Sequence, residues 1–215
     1  MTTIEHTLTP REAKRFYDRY GTKLDWSDPF EGRAKAVAHS WVGLQPGDRV
    51  LELGIGCGHF QAHAAQRVGA TGASVGVELS TTMLELTRAK APAAHLVHGN
   101  MLSLPLASGS FDWGFSSYVL DLLPLHAIAP ALREARRVLK AGAPLVLCSL
   151  TEGQTRAERL IIAMWKGIHA LGPAHVGGCR PVCLQPLLRE AGFEIERSEH
   201  VGQLGVPSEV ILARA

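Results

Sequence analysis

Gly54, Gly56 and Gly58 stand at alternate positions directly after the apolar run Arg49-Val50-Leu51-Glu52-Leu53. Glycine permits positive φ and lets a ligand lie against bare backbone. The helix-compatible stretch that follows, from His59, would offer unpaired N–H groups and the positive end of its dipole. Residues of this kind build a nucleotide-cofactor turn. Val75-Gly76-Val77-Glu78 reads as a second short strand, and its acid lies 20 residues past Gly58. An acid at that distance receives ribose hydroxyls in α/β folds. Glu52, two positions before Gly54, bears on which nucleotide is held. A carboxylate there would repel a pyrophosphate. It would tolerate S-adenosylmethionine (SAM), whose sulfonium and ammonium are cationic and which has no phosphate.

These residues need elements to hold them. The pattern predicts strands over 49–53, 74–78, 95–98, 111–116, 144–150, 194–201 and 208–213. Helices are predicted from Phe60 to near Gly69, after a Ser80 cap, and over 127–139, 157–171 and 182–191. Strands alternating with helices at these lengths make βαβ units, a mostly parallel sheet and right-handed crossovers. Ahead of the sheet, Thr9-Pro10-Arg11-Glu12 reads as a capping box, and Ala13, Phe16, Tyr17 and Tyr20 form an apolar stripe that stops at Gly21. Asp28-Pro29-Phe30-Glu31 repeats the capping pattern before a helix carrying Ala34, Val37, Ala38 and Trp41 on one face.

Five segments in register resemble the class I SAM-dependent methyltransferases. Glu52-Leu53-Gly54-Ile55-Gly56-Cys57-Gly58 is similar to their first motif, Val77-Glu78-Leu79-Ser80 to the second, and Val97-His98-Gly99-Asn100-Met101 to the third. Ser110 to Ser116 resembles the fourth strand, and Arg133 to Ala143 the helix and turn before the fifth. The resemblance covers about residues 46–150 and points to the ubiquinone/menaquinone-biosynthesis-like subgroup (methyltransferase type 11). It implies a Rossmann-like seven-stranded sheet with helices on both faces and strand 7 antiparallel between strands 5 and 6. The expected organisation is one domain: a helical cap (1–45), a SAM-binding core (46–150), a lid insertion (151–181), and a C-terminal helix with strands 6 and 7 (182–215).

By the same resemblance, Gly54, Gly56 and Gly58 approach the methionine and ribose of SAM, and Glu52 faces its cationic end. Glu78 takes the ribose hydroxyls, Leu79 and Met101 flank adenine, and Asn100 reads its edge. Asn100 stands where the family often has aspartate, and its carbonyl oxygen can still accept from the adenine amine. Ser116 and Ser117, ending strand 4, would lie beside the methionine part. Tyr17 and Tyr20 are candidates for the acceptor pocket, as are Asp121, His175 and Arg180; Asp121 or His126 could act as a base. No catalytic residue is assigned, because methyl transfer from SAM asks mainly for alignment and exclusion of water. S-adenosylhomocysteine is the implied product, and the acceptor class is a small hydrophobic or amphipathic molecule such as a quinone precursor or lipid head group.

With 215 residues, 46% hydrophobic and 20% charged, the chain has the composition of an ordinary globular protein. A net charge of +2 argues against nucleic acid as a partner. No apolar run reaches the roughly 18 residues of a membrane span, and Met1 to His6 lacks a signal peptide's apolar region. Four scattered cysteines make no disulfide framework. A reduced, cytoplasmic location is expected, as monomer or homodimer, with at most transient contact with a membrane surface. His175, Cys179 and Cys183 recur every fourth residue, but Gly177, Gly178 and Pro181 break any helix between them, so no metal site is expected. Two rival readings share the cofactor motifs: a SAM-binding module without turnover, and a nicotinamide-dependent oxidoreductase.

Overall fold

The glycine turn follows β1 (Arg49–Leu53), the third strand of a seven-stranded sheet with order β3-β2-β1-β4-β5-β7-β6. The other strands are β2 (Ala73–Glu78), β3 (His95–His98), β4 (Trp113–Ser117), β5 (Pro144–Leu150), β6 (Glu194–Gln203) and β7 (Val206–Arg214). Strands β1 to β5 run parallel, and β7 is antiparallel to both β5 and β6. The computed structural model describes residues 4–21, 23 and 28–215, with residue 28 described by its backbone alone. The cap expected from Asp28 therefore lies outside the described residues.

The period-2 alternation of β1 sends its residues to two cores. Leu51 and Leu53 pack under α5 (Leu125–Val138) and α7 (Leu184–Glu190), while Val50 faces α2 (Asp28–Ser40) and α3 (His59–Val68). All seven residues of β5 are buried, as befits a strand covered on both faces. Helix α4 (Thr81–Lys90) carries the expected cap, Ser80 Oγ accepting from the Met83 N–H at 3.2 Å.

Helix α1 (Pro10–Tyr20) starts on the predicted capping box. The Thr9 N–H donates to Glu12 Oε2 at 2.9 Å and the Glu12 N–H to Thr9 Oγ1 at 3.3 Å. A second capping box, Thr155 with Glu158, starts α6 (Arg156–Leu171), the long helix of the predicted insertion. The buried Glu158 also meets the His200 ring at 3.1 Å, which ties α6 to β6.

Most boundaries fall within two residues of expectation, and β4, β6 and β7 are the strands that differ in a way the structure explains. Phe111 does not start β4 but only bridges to Leu139. Strands β6 and β7 are longer than predicted and join in a tight hairpin at Leu204-Gly205, both with positive φ (49° and 80°). Gly202 and Pro207 look like breakers in sequence, yet Pro207 lies beyond the last β5–β7 pair, Leu150 with Ser208, where no β5 partner needs its missing N–H. A turn with two positive φ values favours Asn-Gly, so Leu204 stands in strain. Leu204→Asn is expected to stabilise the fold by about 1 kcal/mol. Thermal denaturation reads this, and an unchanged or lower Tm would refute it.

Edge strand β6 carries a register irregularity between Ile195 and Arg197 in its pairing with β7. Its charged side chains are engaged along the edge: Arg197 with Glu199 at 3.1 Å and over the Trp41 ring at 4.1 Å, and Glu196 with Arg214 at 2.6 Å.

Candidate active site

At the carboxyl ends of β1, β2 and β4 lies a cavity of about 530 Å³, where parallel α/β sheets receive ligands. Its floor includes Gly54 and Gly56, with φ of 72° and 49°. The Gly54 N–H donates to the Val77 carbonyl at 2.8 Å, locking the turn to the end of β2. A Cβ on Gly54 would lie 2.2 Å from Val119 Cγ2, so this glycine is required by close approach as well as by φ. Gly58 is also at positive φ, 77°, but faces Thr87 of α4 and does not line the cavity.

Glu78 closes β2 at the cavity wall. Its Oε1 accepts from the Leu79 and Ser80 N–H groups, both at 2.8 Å. Burial raises its pKa, opposed by these backbone N–H groups and by those of Gly56 and Ile55. Leu79, Asn100 and Met101 line the same side. The Asn100 carbonyl oxygen, expected to face a ligand, accepts from the Leu102 N–H at 3.0 Å, leaving its second lone pair for any further partner.

Helix α1 and the segment after α6 form the opposite wall. Tyr17 donates to the Gly177 carbonyl at 3.1 Å, and Tyr20 stacks on Phe16 with ring centroids 5.2 Å apart. Tyr17, Tyr20 and His175 all line the cavity. Asp18 fastens α1 to α4: despite desolvation, bonds from Lys14 and Ser80 hold its pKa at about 2.

The structure separates Glu52, Ser116, Asp121 and Arg180 from the cavity. Glu52 shares its strand face with Val50 and sits 3% exposed beside Gln61, where burial pushes its pKa well up. It lies behind the glycine turn rather than on the cavity wall, so it offers no open carboxylate there. Ser116 is buried and donates to the Leu53 carbonyl at 2.9 Å, whereas Ser117 lines the cavity and its Oγ finds no hydrogen-bond partner. Asp121 and Arg180 are 0% and 1% exposed, away from the cavity. Asp121 Oδ2 accepts from the Leu150 N–H at 3.1 Å, and the Arg180 guanidinium donates to the Leu123 carbonyl. The two are joined through the backbone, the Arg180 N–H donating to the Asp121 carbonyl at 3.2 Å, and neither opens onto the cavity. Cys179 lines the cavity while Cys183 is exposed, so with His175 they share no helix face.

Burial pushes the Asp121 carboxyl up to about 7, against the Leu150 N–H that lowers it. The unfolded carboxyl titrates near pH ~3.9. This contribution to stability is therefore complete below that pH and is lost as pH rises through the folded value. Asp121→Asn does not titrate, so its Tm should gain on the wild type between about pH 4 and about pH 8. A difference that stays constant across that range would sink the assignment.

Sequence reasoning missed Glu31, Lys35, Tyr118 and Trp165, which line the cavity together with His126, the alternative base candidate. Glu31 and Lys35 form an i,i+4 ion pair at 3.0 Å on α2, a spacing that in sequence reads as a solvated helix face. Lys35 also lies over the Tyr118 ring at 5.7 Å. Tyr118 follows β4 with φ of 53°, a conformation rare for a bulky residue. Its hydroxyl meets Ser208 Oγ at 2.6 Å.

A glycine turn after β1, an acid closing β2 and an antiparallel β7 between β5 and β6 define the Rossmann-like methyltransferase architecture. Residues 50–142 match the family model described as a methyltransferase domain. The 2-phytyl-1,4-naphthoquinone methyltransferase of Trichormus variabilis is 35% identical over 143 residues, 61% of this chain and 62% of the relative. The chain thus spans about three fifths of that relative's length. A SAM-dependent methyltransferase of Aquifex aeolicus superposes with a TM-score of 0.63 at 18% identity, covering 96% of this chain and 98% of its own. The [4+2]-cyclase SpnF superposes with a TM-score of 0.73 at 17% identity, over 100% of this chain and 98% of its own. That range of activities on one fold leaves the reaction to be argued from the site. Over residues 50–142 the chain is therefore similar to methyltransferase domains, in line with the resemblance of its motifs.

Proposed function

We propose that the protein transfers the methyl group of SAM to a small hydrophobic or amphipathic acceptor of the quinone-precursor kind. The observation that carries this reading is the division of one cavity into two kinds of wall. On the sheet side stand bare backbone at Gly54 and Gly56, a fixed carboxylate at Glu78, and the unpartnered hydroxyl of Ser117. On the helix side stand Phe16, Tyr17, Leu122, Leu123 and Trp165. The first wall suits a polar nucleoside with an amino-acid tail, the second a greasy ring. The two lysines lining the cavity, Lys14 and Lys35, are both engaged by carboxylates, which disfavours a pyrophosphate cofactor. The name of the Trichormus relative supplies the naphthoquinone class of acceptor.

In this reading Glu78 accepts from the ribose hydroxyls, and Leu79 and Met101 hold the adenine between them. Asn100 offers its second lone pair to the adenine amine, and Ser117 meets the methionine part. Gly58, Ser116 and Glu52 act from behind, shaping the turn and the strand ends. SAM, when bound, supplies a methyl group on a sulfonium that departs as a neutral thioether. The chain contributes alignment of the acceptor and a dry cavity. A base is required only where the acceptor must shed a proton as it attacks.

The test combines calorimetric titration with SAM, S-adenosylhomocysteine and NAD, and transfer of labelled methyl from SAM to a demethylated naphthohydroquinone. Micromolar binding of both sulfur compounds, none of NAD, and a labelled product are expected. NAD binding in place of SAM would overturn the cofactor reading; SAM binding with no labelled product would overturn the acceptor class.

A further inference from the structure

Six large hydrophobic side chains stand exposed among the described residues, and they gather in one place. Leu160, Met164, Ile168 and Leu171, which are 64%, 59%, 42% and 83% exposed, all lie on α6. Phe30 and Leu204 adjoin that helix. With Ile161 and Trp165 they line a second, smaller cavity, and a Cβ on Gly205 would lie 2.2 Å from Ile161 Cδ1. Single exposed hydrophobics are ordinary, whereas a contiguous patch marks a contact.

Helix α6 is inside out for a helix on a lone subunit. Its buried residues include Glu158 and His169, while the steps i, i+4, i+8 and i+11 from Leu160 line up hydrocarbon on the exposed side. The exposed neighbours of that stripe, Ala163, Gly167 and Ala170, are small. They let a second helix approach to the spacing of about 8–10 Å found between packed helices.

The charges of α6 suit a copy of itself. Arg156 and Arg159 are exposed in its first turn, where the helix's own dipole disfavours a cation. An antiparallel mate brings its carbonyl end to those arginines, where the dipole favours them. Lys166 is already held by Glu152 at 2.5 Å. A helix made for a lipid surface flanks its apolar face with Lys and Arg, and here the flank is Ala163, Gly167 and Ala170.

We propose that α6 is the interface between two copies of this chain, paired antiparallel about a two-fold axis. Leu160 then meets the partner's Leu171, and Met164 the partner's Ile168. At 1.5 Å per residue this seam is about 16 Å long. With the hairpins at its margin it buries on the order of 1,000 Å², the low end for specific association, so dimer and monomer exchange at micromolar concentrations.

Sedimentation velocity on the full chain under reducing conditions, from about 2 to about 200 µM, tests this. The mass should rise from 23.2 kDa to twice that value. Met164→Glu and Ile168→Glu each bury an acid in the seam and should weaken the dimer at least about thirtyfold. Leu160→Lys and Leu171→Glu should each weaken it about tenfold. Combined in one chain, these two bring opposite charges together at both ends of an antiparallel pair and should bind at least about threefold tighter than either alone. A parallel pair would bring like charges together and lose more. All four positions are exposed in the single subunit, so circular dichroism and S-adenosylhomocysteine binding should stay as in the wild type. A wild type that remains monomeric over the whole range, a dimer that survives Met164→Glu and Ile168→Glu, or a combined variant no tighter than its parents overturns the proposal. So does a monomer that sediments with vesicles of phosphatidylcholine and phosphatidylglycerol, which would assign the stripe to a lipid surface.

Discussion

Glu78→Ala should weaken SAM binding by about a hundredfold, close to 3 kcal/mol, with the fold largely intact. The carboxylate stands at the end of β2, half-buried, with Oε1 fixed by two backbone N–H groups at 2.8 Å. A pre-fixed anion of this kind makes charge-assisted bonds to hydroxyls, each worth about 1.5–3 kcal/mol, and alanine leaves those hydroxyls without an acceptor. The cost to stability is smaller, about 1 kcal/mol, since the Leu79 and Ser80 N–H groups at the cavity wall can turn to water. Glu78→Gln keeps one carbonyl acceptor and should fall between. Calorimetry on the three proteins reads the effect, with circular dichroism as the check on folding. A dissociation constant within about threefold of wild type for Glu78→Ala would remove Glu78 from the cofactor wall.

The second large effect is expected at Gly54. An alanine there meets two separate obstacles. Positive φ costs an L-residue about 1–2 kcal/mol, and a Cβ 2.2 Å from Val119 Cγ2 forces a shift worth a further 1–3 kcal/mol or so. Rotating Val119 gives only partial relief, because its own Cβ would still lie 3.0 Å away. Gly54→Ala should therefore destabilise the fold by about 2–5 kcal/mol and abolish SAM binding at the shifted turn. Adding Val119→Ala removes the two methyls at 2.2 and 2.8 Å and so recovers most of the steric cost, but neither the remaining Cβ contact nor the backbone cost. Urea unfolding of the single and double variants measures this. Full recovery in the double variant would mean that backbone conformation at Gly54 contributes nothing.

What the sequence made legible follows from how local each signal is. The glycine turn, the acid 20 residues on and the apolar strands are patterns of neighbours, and each stands where its spacing predicted. Capping boxes are equally local, and the one at Thr9 was readable from its spacing of three. Glu52 shows where local signals end. Its nearness to Gly54 in sequence suggested a place in the cavity, but alternation along β1 sends it to the Val50 face, beside Gln61. Asp121 and Arg180 lie far apart in the chain and look like surface charges, and only the fold buries them together. Glu31 and Lys35 were hidden for the opposite reason: an ordinary helical ion pair gives no hint that its helix walls a cavity. The β6–β7 hairpin escaped because Leu204 occupies a position that turn chemistry reserves for asparagine or glycine.

The sheet's two borders bear on how copies of this chain can associate. At one border β3 is four residues long; at the other, β6 breaks its register beside Ile195 and holds Arg197 and Glu199 in an ion pair. A short border strand and a kinked, charged one are both poor templates for an added strand. Should the protein form a homodimer, its two sheets would not fuse into one continuous sheet across either border. Association would have to proceed through helix faces, leaving the strand order within each subunit closed to exchange.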